Sequence, residues 1–161
     1  MISKAVFLAG LCWAFTFALP WGNFWLKIGV SVILVCLYSL RWERPSLNPR
    51  PASVAAGILA AAVLYGIFFV GNAIAPYIVP GAQGQVGGIY DLGSGTERAL
   101  IFLLLCFVTG PGEEIFWRGF LQGRLMDRWG PGRGFVLTTL IYGAVHVFSL
   151  NLMLIMAALV A

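Results

Sequence analysis

Apolar residues run through this chain in long blocks, not in the single-face stripes of a soluble helix or the alternation of a half-buried strand. The first block is Ala5–Leu19, preceded by Lys4 and stopped by Pro20, and the second is Phe24–Leu40, followed by the polar stretch RWERPSLNPR. A third runs from about Ala52 to Tyr77 and gives way to Pro80 and a glycine-rich segment, GAQGQVGGIYDLGSGT. A fourth begins near Glu97 and closes around Leu125, and MDRWGPGR separates it from a fifth, Gly134–Leu150. A spanning helix needs about 20 mostly apolar residues. The pattern therefore predicts an all-α, polytopic transmembrane helical bundle with five spans, and residues 1–161 form a single integral membrane domain. Ten residues follow Asn151, about 15 Å of helix at ~1.5 Å per residue. Leu152–Ala161 thus reads as the start of a sixth span, and the chain as truncated at its C-terminus. Ala5–Leu19 also has the form of a signal peptide, with Thr16 and Ala18 as a poor cleavage site. The spans behind it favour an uncleaved first helix.

Composition agrees: 60% of residues are hydrophobic and 10% charged, with a mean hydropathy of +0.91, outside the soluble globular range. The net charge of +4 does not indicate a nucleic-acid partner. Arg41, Arg44, Arg50, Arg124, Arg128 and Arg133 fall in two short loops, where positive charge sets topology. Two spans separate those loops, so both face the cytoplasm together with the N-terminus and Lys4. The glycine-rich loop with Asp91 then lies outside, and Lys27 snorkels from the outer end of the second span. The compact layout points to a bacterial inner membrane. Cys12, Cys36 and Cys106 are odd in number and lie in apolar segments, so they imply packing and no disulfide or metal framework. The Gly81–Thr96 loop reads as a linker, with a lid as the alternative.

The candidate chemistry lies in TGPGEEIFWRGFLQG, residues 109–123. A charge in hydrocarbon is expensive, so an intramembrane carboxylate is a functional hypothesis unless it is paired. Glu114 and Arg118 stand at i, i+4 on one helix face and suit an architectural ion pair. Glu113 points about 100° away around the helix and lacks that partner. It needs a polar cavity, a held proton or a group from another helix. The only histidine, His146 in TLIYGAVHVFSLN, is the candidate. Glu113 lies about 16 Å from the cytoplasmic end of the fourth helix and His146 about 18 Å from the cytoplasmic start of the fifth. Antiparallel neighbours joined by a short loop place the two at one depth. A lone histidine is ordinarily a core residue bonded to a carbonyl, but beside a membrane-embedded glutamate the paired functional reading ranks higher.

Pro111 weakens the backbone ladder, Gly110 and Gly112 leave room near Glu113, and Gly119 and Gly143 permit close helix approach. A Glu and a His at a water-accessible cavity suit general-base activation of water, hence hydrolysis. One His and two Glu fall short of a zinc ligand set, and no cofactor is expected.

EEIFWRGFL resembles the first signature of the CAAX-processing and bacteriocin-processing (CPBP, or Abi) intramembrane endopeptidases, a Glu-Glu-x-x-x-Arg pattern running into Gly and an apolar pair. YGAVH resembles the second, with Tyr142 where Phe is more usual. The signature-bearing part is 97–161. The resemblance implies that Glu113 activates water, that His146 assists it, and that Glu114, Arg118 and Tyr142 support the site. The family's later signature, a His with an Asn or similar residue four positions on, would fall beyond Ala161, and Asn151 does not replace it by position. Loss of such oxyanion donors costs ~10²–10³ in rate.

The leading expectation is an intramembrane endopeptidase acting on a membrane-associated or lipidated peptide or protein, with the lipid bilayer as its surroundings. A non-catalytic immunity or scaffold protein, using the same cluster to bind a peptide or a partner subunit, is the alternative. A proton-coupled transporter is third, since neither an internal repeat nor paired broken helices support it.

Overall fold

A computed structural model of the chain describes residues 1–43 and 50–161. Arg44, one of the arginines expected to set topology, lies outside the described residues. Among the described residues every regular element is helical.

Helix α1 (Ile2–Ala18) stops where Leu19 turns extended ahead of Pro20, because proline disfavours helical backbone in the residue before it. Helix α2 (Phe24–Leu40) starts at Asn23, whose Oδ1 accepts the backbone N–H groups of Trp25 and Leu26 at 2.9 and 3.2 Å, satisfying two of the free donors of a helix start. The two helices pack as a pair, joined in their interior by Thr16 and Ser31, whose hydroxyls are 2.9 Å apart. Ser31 also donates to the Cys12 carbonyl at 3.0 Å. Lys27 does not snorkel outward. It is almost wholly buried, and its Nζ donates to the Leu19 carbonyl at 2.6 Å, placing a cation on the C-terminal end of α1, where the helix dipole favours one.

Helix α3 (Pro51–Ile78) is 28 residues long, with proline in its first turn and Pro76 near its end. The glycine-rich segment expected to be a loop forms helix α4 (Ala82–Asp91), with left-handed Gly81 before it and left-handed Gly95 after it. Three glycines weaken α4 by propensity, and hydrogen bonds to the bundle offset this. Asn151 Nδ2 donates to the Gln85 carbonyl at 2.8 Å, and the Met153 N–H donates to Gln85 Oε1 at 3.2 Å. The Trp25 indole donates to the Leu92 carbonyl at 2.9 Å.

Helix α5 runs without a break over Arg98–Trp129. It is followed by α6 (Pro131–Val145), a 3₁₀ turn (His146–Ser149), and α7 (Leu152–Val160), whose N-cap Asn151 accepts the Leu154 N–H at 3.0 Å. The fifth predicted span, Gly134–Leu150, is thus shorter as a helix and starts earlier.

The core lies between α1, α2, the second half of α5, and α6. Ala5, Ala9, Trp13, Val32, Val35, Phe116, Trp117 and Leu121 are all fully buried there. Helix α3 stands outside it, with Ala75 its one buried residue. By length and composition α3 and α5 can cross a membrane, while α1 and α2 are shorter apolar helices. Arg124, near the end of α5, pairs with Glu43, just past α2, at 3.3 Å, so the two basic segments share one end of the bundle.

Candidate active site

The signature stretch sits where α5 stops being a regular α-helix. Pro111 has no backbone N–H to donate, and the turn ahead of it widens. The Gly110 N–H reaches the Leu105 carbonyl, five residues back, and Leu105–Thr109 is π-helical. A second π-helical stretch covers Glu114–Gln122. Such turns are rare and recur at functional sites. A Cβ on Gly110 would overlap the Leu105 carbonyl, so glycine is what lets this turn close. The space at Gly112 is not left for Glu113. A Cβ there would overlap the Val32 side chain, so the glycine admits α2. Gly143 is likewise covered by Leu159 of α7, whereas among the described residues a Cβ on Gly119 would meet only the Glu114 carbonyl of its own helix, at 3.6 Å.

Glu113 is partly buried, and its Oε2 accepts the Tyr142 phenol O–H at 2.6 Å, a short bond of the charge-assisted kind. Among the described residues no hydrogen bond reaches Oε1. Glu114 and Arg118 form the expected i, i+4 pair at 3.6 Å. Arg118 also donates to the Ala161 carbonyl at 2.8 Å and holds its guanidinium 5.0 Å from the centre of the Tyr142 ring, within cation–π range. A cavity of about 70 Å³ opens here, lined in part by Arg118, Gln122, Thr138, Thr139 and Tyr142. The rest of its lining, Phe135 and residues 158–161, is apolar and makes up most of its wall, Glu113 is not part of that lining, and the space is large enough for water.

Among the described residues no hydrogen bond joins His146 to Glu113. Its Nδ1 lies 2.7 Å from the Tyr142 carbonyl, and its Nε2 accepts the Trp13 indole N–H at 3.2 Å. The ring is boxed by Tyr142, Phe17 and Trp13, with centroids at 4.8, 5.8 and 5.9 Å. The matched depth thus holds to within one helical turn: Glu113 is level with Tyr142, four residues before His146. The π stretch explains the offset. A turn that holds more residues advances less per residue, so Glu113 lies nearer the basic end of α5 than counting at α-helical rise predicts. Tyr142 is therefore the residue that joins the two, through its hydroxyl to Glu113 and its carbonyl to His146.

Trp13 and Trp117 escaped the sequence reading. Trp13 is fully buried, and a tryptophan in mid-span, away from the interfacial belt, was the available signal, since a buried indole N–H needs a partner. Trp117 packs edge-on against both Trp13 and Tyr142, at 5.4 and 5.0 Å. Its own indole N–H has no partner among the described residues. No cluster of three His, Cys, Asp or Glu side chains occurs among the described residues.

Residues 95–161 match the family model described as type II CAAX prenyl endopeptidase, Rce1-like. This part of the chain is similar to the CAAX protease family. No curated protein and no solved structure matches the chain. The matched segment contains Glu113, Glu114, Arg118, Tyr142 and His146, whereas Trp13, Phe17 and Val32, which pack against it, come from α1 and α2.

Proposed function

We propose that this integral membrane protein is an intramembrane endopeptidase in which Glu113 activates the attacking water. The observation that carries the reading is the Tyr142–Glu113 hydrogen bond, with Tyr142 itself lining a water-sized cavity. It fixes the carboxylate through Oε2 and leaves Oε1 to take a proton. Water then loses a proton to Oε1 while its oxygen bonds to the scissile carbonyl carbon. As the C–N bond breaks, the same proton passes to the leaving amine nitrogen. Arg118 neutralises Glu114 and, through its contact with the Tyr142 ring, steadies the phenol. His146 supports the arrangement through the Tyr142 backbone.

The matched family points to a membrane-associated or lipidated peptide or protein as substrate. The basic end of the bundle, with the N-terminus, faces the cytoplasm by the positive-inside rule, in a bacterial inner membrane. Five spans and the start of a sixth remain the layout proposed. The test is cleavage of farnesylated and other membrane-anchored reporter peptides by the purified protein in liposomes. Wild type cleaves and Glu113→Gln does not, while both stay in the membrane fraction. Equal cleavage by the two would remove Glu113 from the chemistry. One observation favours a binding role instead, namely that both His146 nitrogens are already occupied. In that case a membrane-anchored peptide is retained intact by wild type.

A further inference from the structure

The hydrogen-bond partners of His146 fix its chemical state. A backbone carbonyl only accepts, so at 2.7 Å the Tyr142 oxygen requires a proton on Nδ1. An indole N–H only donates, so at 3.2 Å Trp13 requires a lone pair on Nε2. One imidazole state satisfies both: neutral, with the proton on Nδ1. A cation would set an Nε2 proton against the indole proton, and the other tautomer would leave a carbonyl facing a lone pair.

Trp13 itself is held. It is fully buried, lies in the same box as Phe17, and packs edge-on with Trp117 at 5.4 Å. Trp117 packs on Tyr142, and Tyr142 bonds Glu113. The imidazole, the phenol and the carboxylate are thus fixed by one aromatic cluster to which α1 contributes a single hydrogen bond.

We propose that Trp13 is a positioning residue of the site: it closes the His146 Nε2 lone pair and holds the ring as the neutral Nδ1–H tautomer against Tyr142. This deepens the reading of Glu113, Tyr142 and His146 as the site and rests on it. It also makes α1, which lies outside the family-matched segment, a working part of that site. Nε2 meets water or substrate only when the indole lets go.

The chain has one histidine, so nitrogen-15 NMR of the full-length, histidine-labelled protein in micelles reads His146 alone. In wild type, Nδ1 carries the directly bonded proton and Nε2 carries none, and the Trp13 indole proton shows an NOE to the imidazole ring protons that flank Nε2. Trp13→Phe keeps an aromatic ring and deletes the donor, so the Nε2 resonance shifts to that of a free lone pair. Phe17→Leu removes packing but no hydrogen bond and leaves the Nε2 resonance in place. A proton on Nε2 in wild type, a missing NOE, or equal Nε2 shifts in the two variants overturns the proposal. The wild-type spectrum decides even where Trp13→Phe fails to fold. None of these arms needs a substrate, so they stand apart from the Glu113→Gln cleavage test, whose failure would overturn the endopeptidase reading alone.

Discussion

Helices α3 and α5 look alike by length and hydropathy, and both can cross a bilayer. The chain uses them in opposite ways. The most apolar stretch of α3 has no buried residue, carries no charge and stays α-helical to Ile78. Helix α5 carries Glu113, Glu114 and Arg118, breaks its regular winding on either side of the Gly110–Glu113 turn, and buries Phe116, Trp117, Phe120 and Leu121. Lipid is an adequate partner for an apolar side chain but offers nothing to a carboxylate or a guanidinium. The half of α5 that carries the charges accordingly packs its Phe116, Trp117, Phe120 and Leu121 face against protein. A span that carries none can be left to the bilayer.

That contrast can be broken or sharpened by substitution. The largest effect is expected from Glu113→Gln, which keeps the shape and removes the base. Reporter-peptide cleavage should fall by ~10²–10⁴ with unchanged membrane insertion, and a residual rate within a few-fold of wild type would place the chemistry elsewhere. Next is Leu121→Ala in the buried half of α5, which leaves a cavity between packed helices and should cost about 2–5 kcal/mol, read as a lower midpoint of unfolding in detergent. Tyr142→Phe deletes the phenol but keeps the ring beside Arg118. Loss of one hydrogen bond to a charged group, about 1.5–3 kcal/mol, should cut cleavage by roughly 10- to 100-fold with little change in KM. The smallest effect is expected from Leu59→Ala on α3, where lipid fills the vacated space. Its change in stability should stay within about 0.5 kcal/mol. A loss comparable to that of Leu121→Ala would mean that α3 has a protein partner.

Much of this was legible in the sequence because bilayer thickness imposes long apolar blocks. Phe24–Leu40 was predicted to the residue, and the i, i+4 spacing delivered the Glu114–Arg118 pair. What escaped reading has local causes. The 81–96 segment reads as loop because glycine propensity is poor, yet the Gln85 bonds to Asn151 and Met153 hold Ala82–Asp91 of it helical. The depth match between Glu113 and His146 slipped by a turn because hydropathy carries no sign of π-helical winding, although Pro111 marked the place. Trp13 was invisible as a functional residue because its partner lies on a helix more than a hundred positions away.

The position of α3 outside the core has a consequence for biogenesis. Chains enter the membrane from the N-terminus, so α1 and α2 are made before any residue of the family-matched segment. At about 5–20 residues per second, that interval is on the order of seconds. The α1–α2 pair bridges it with its own internal bonds from Ser31 to Thr16 and Cys12, while the Trp13 indole has no imidazole to meet. Helix α3, which by length and composition can cross a membrane, is made next. Its 28 residues thus separate the making of that pair from the making of the helices that close on it.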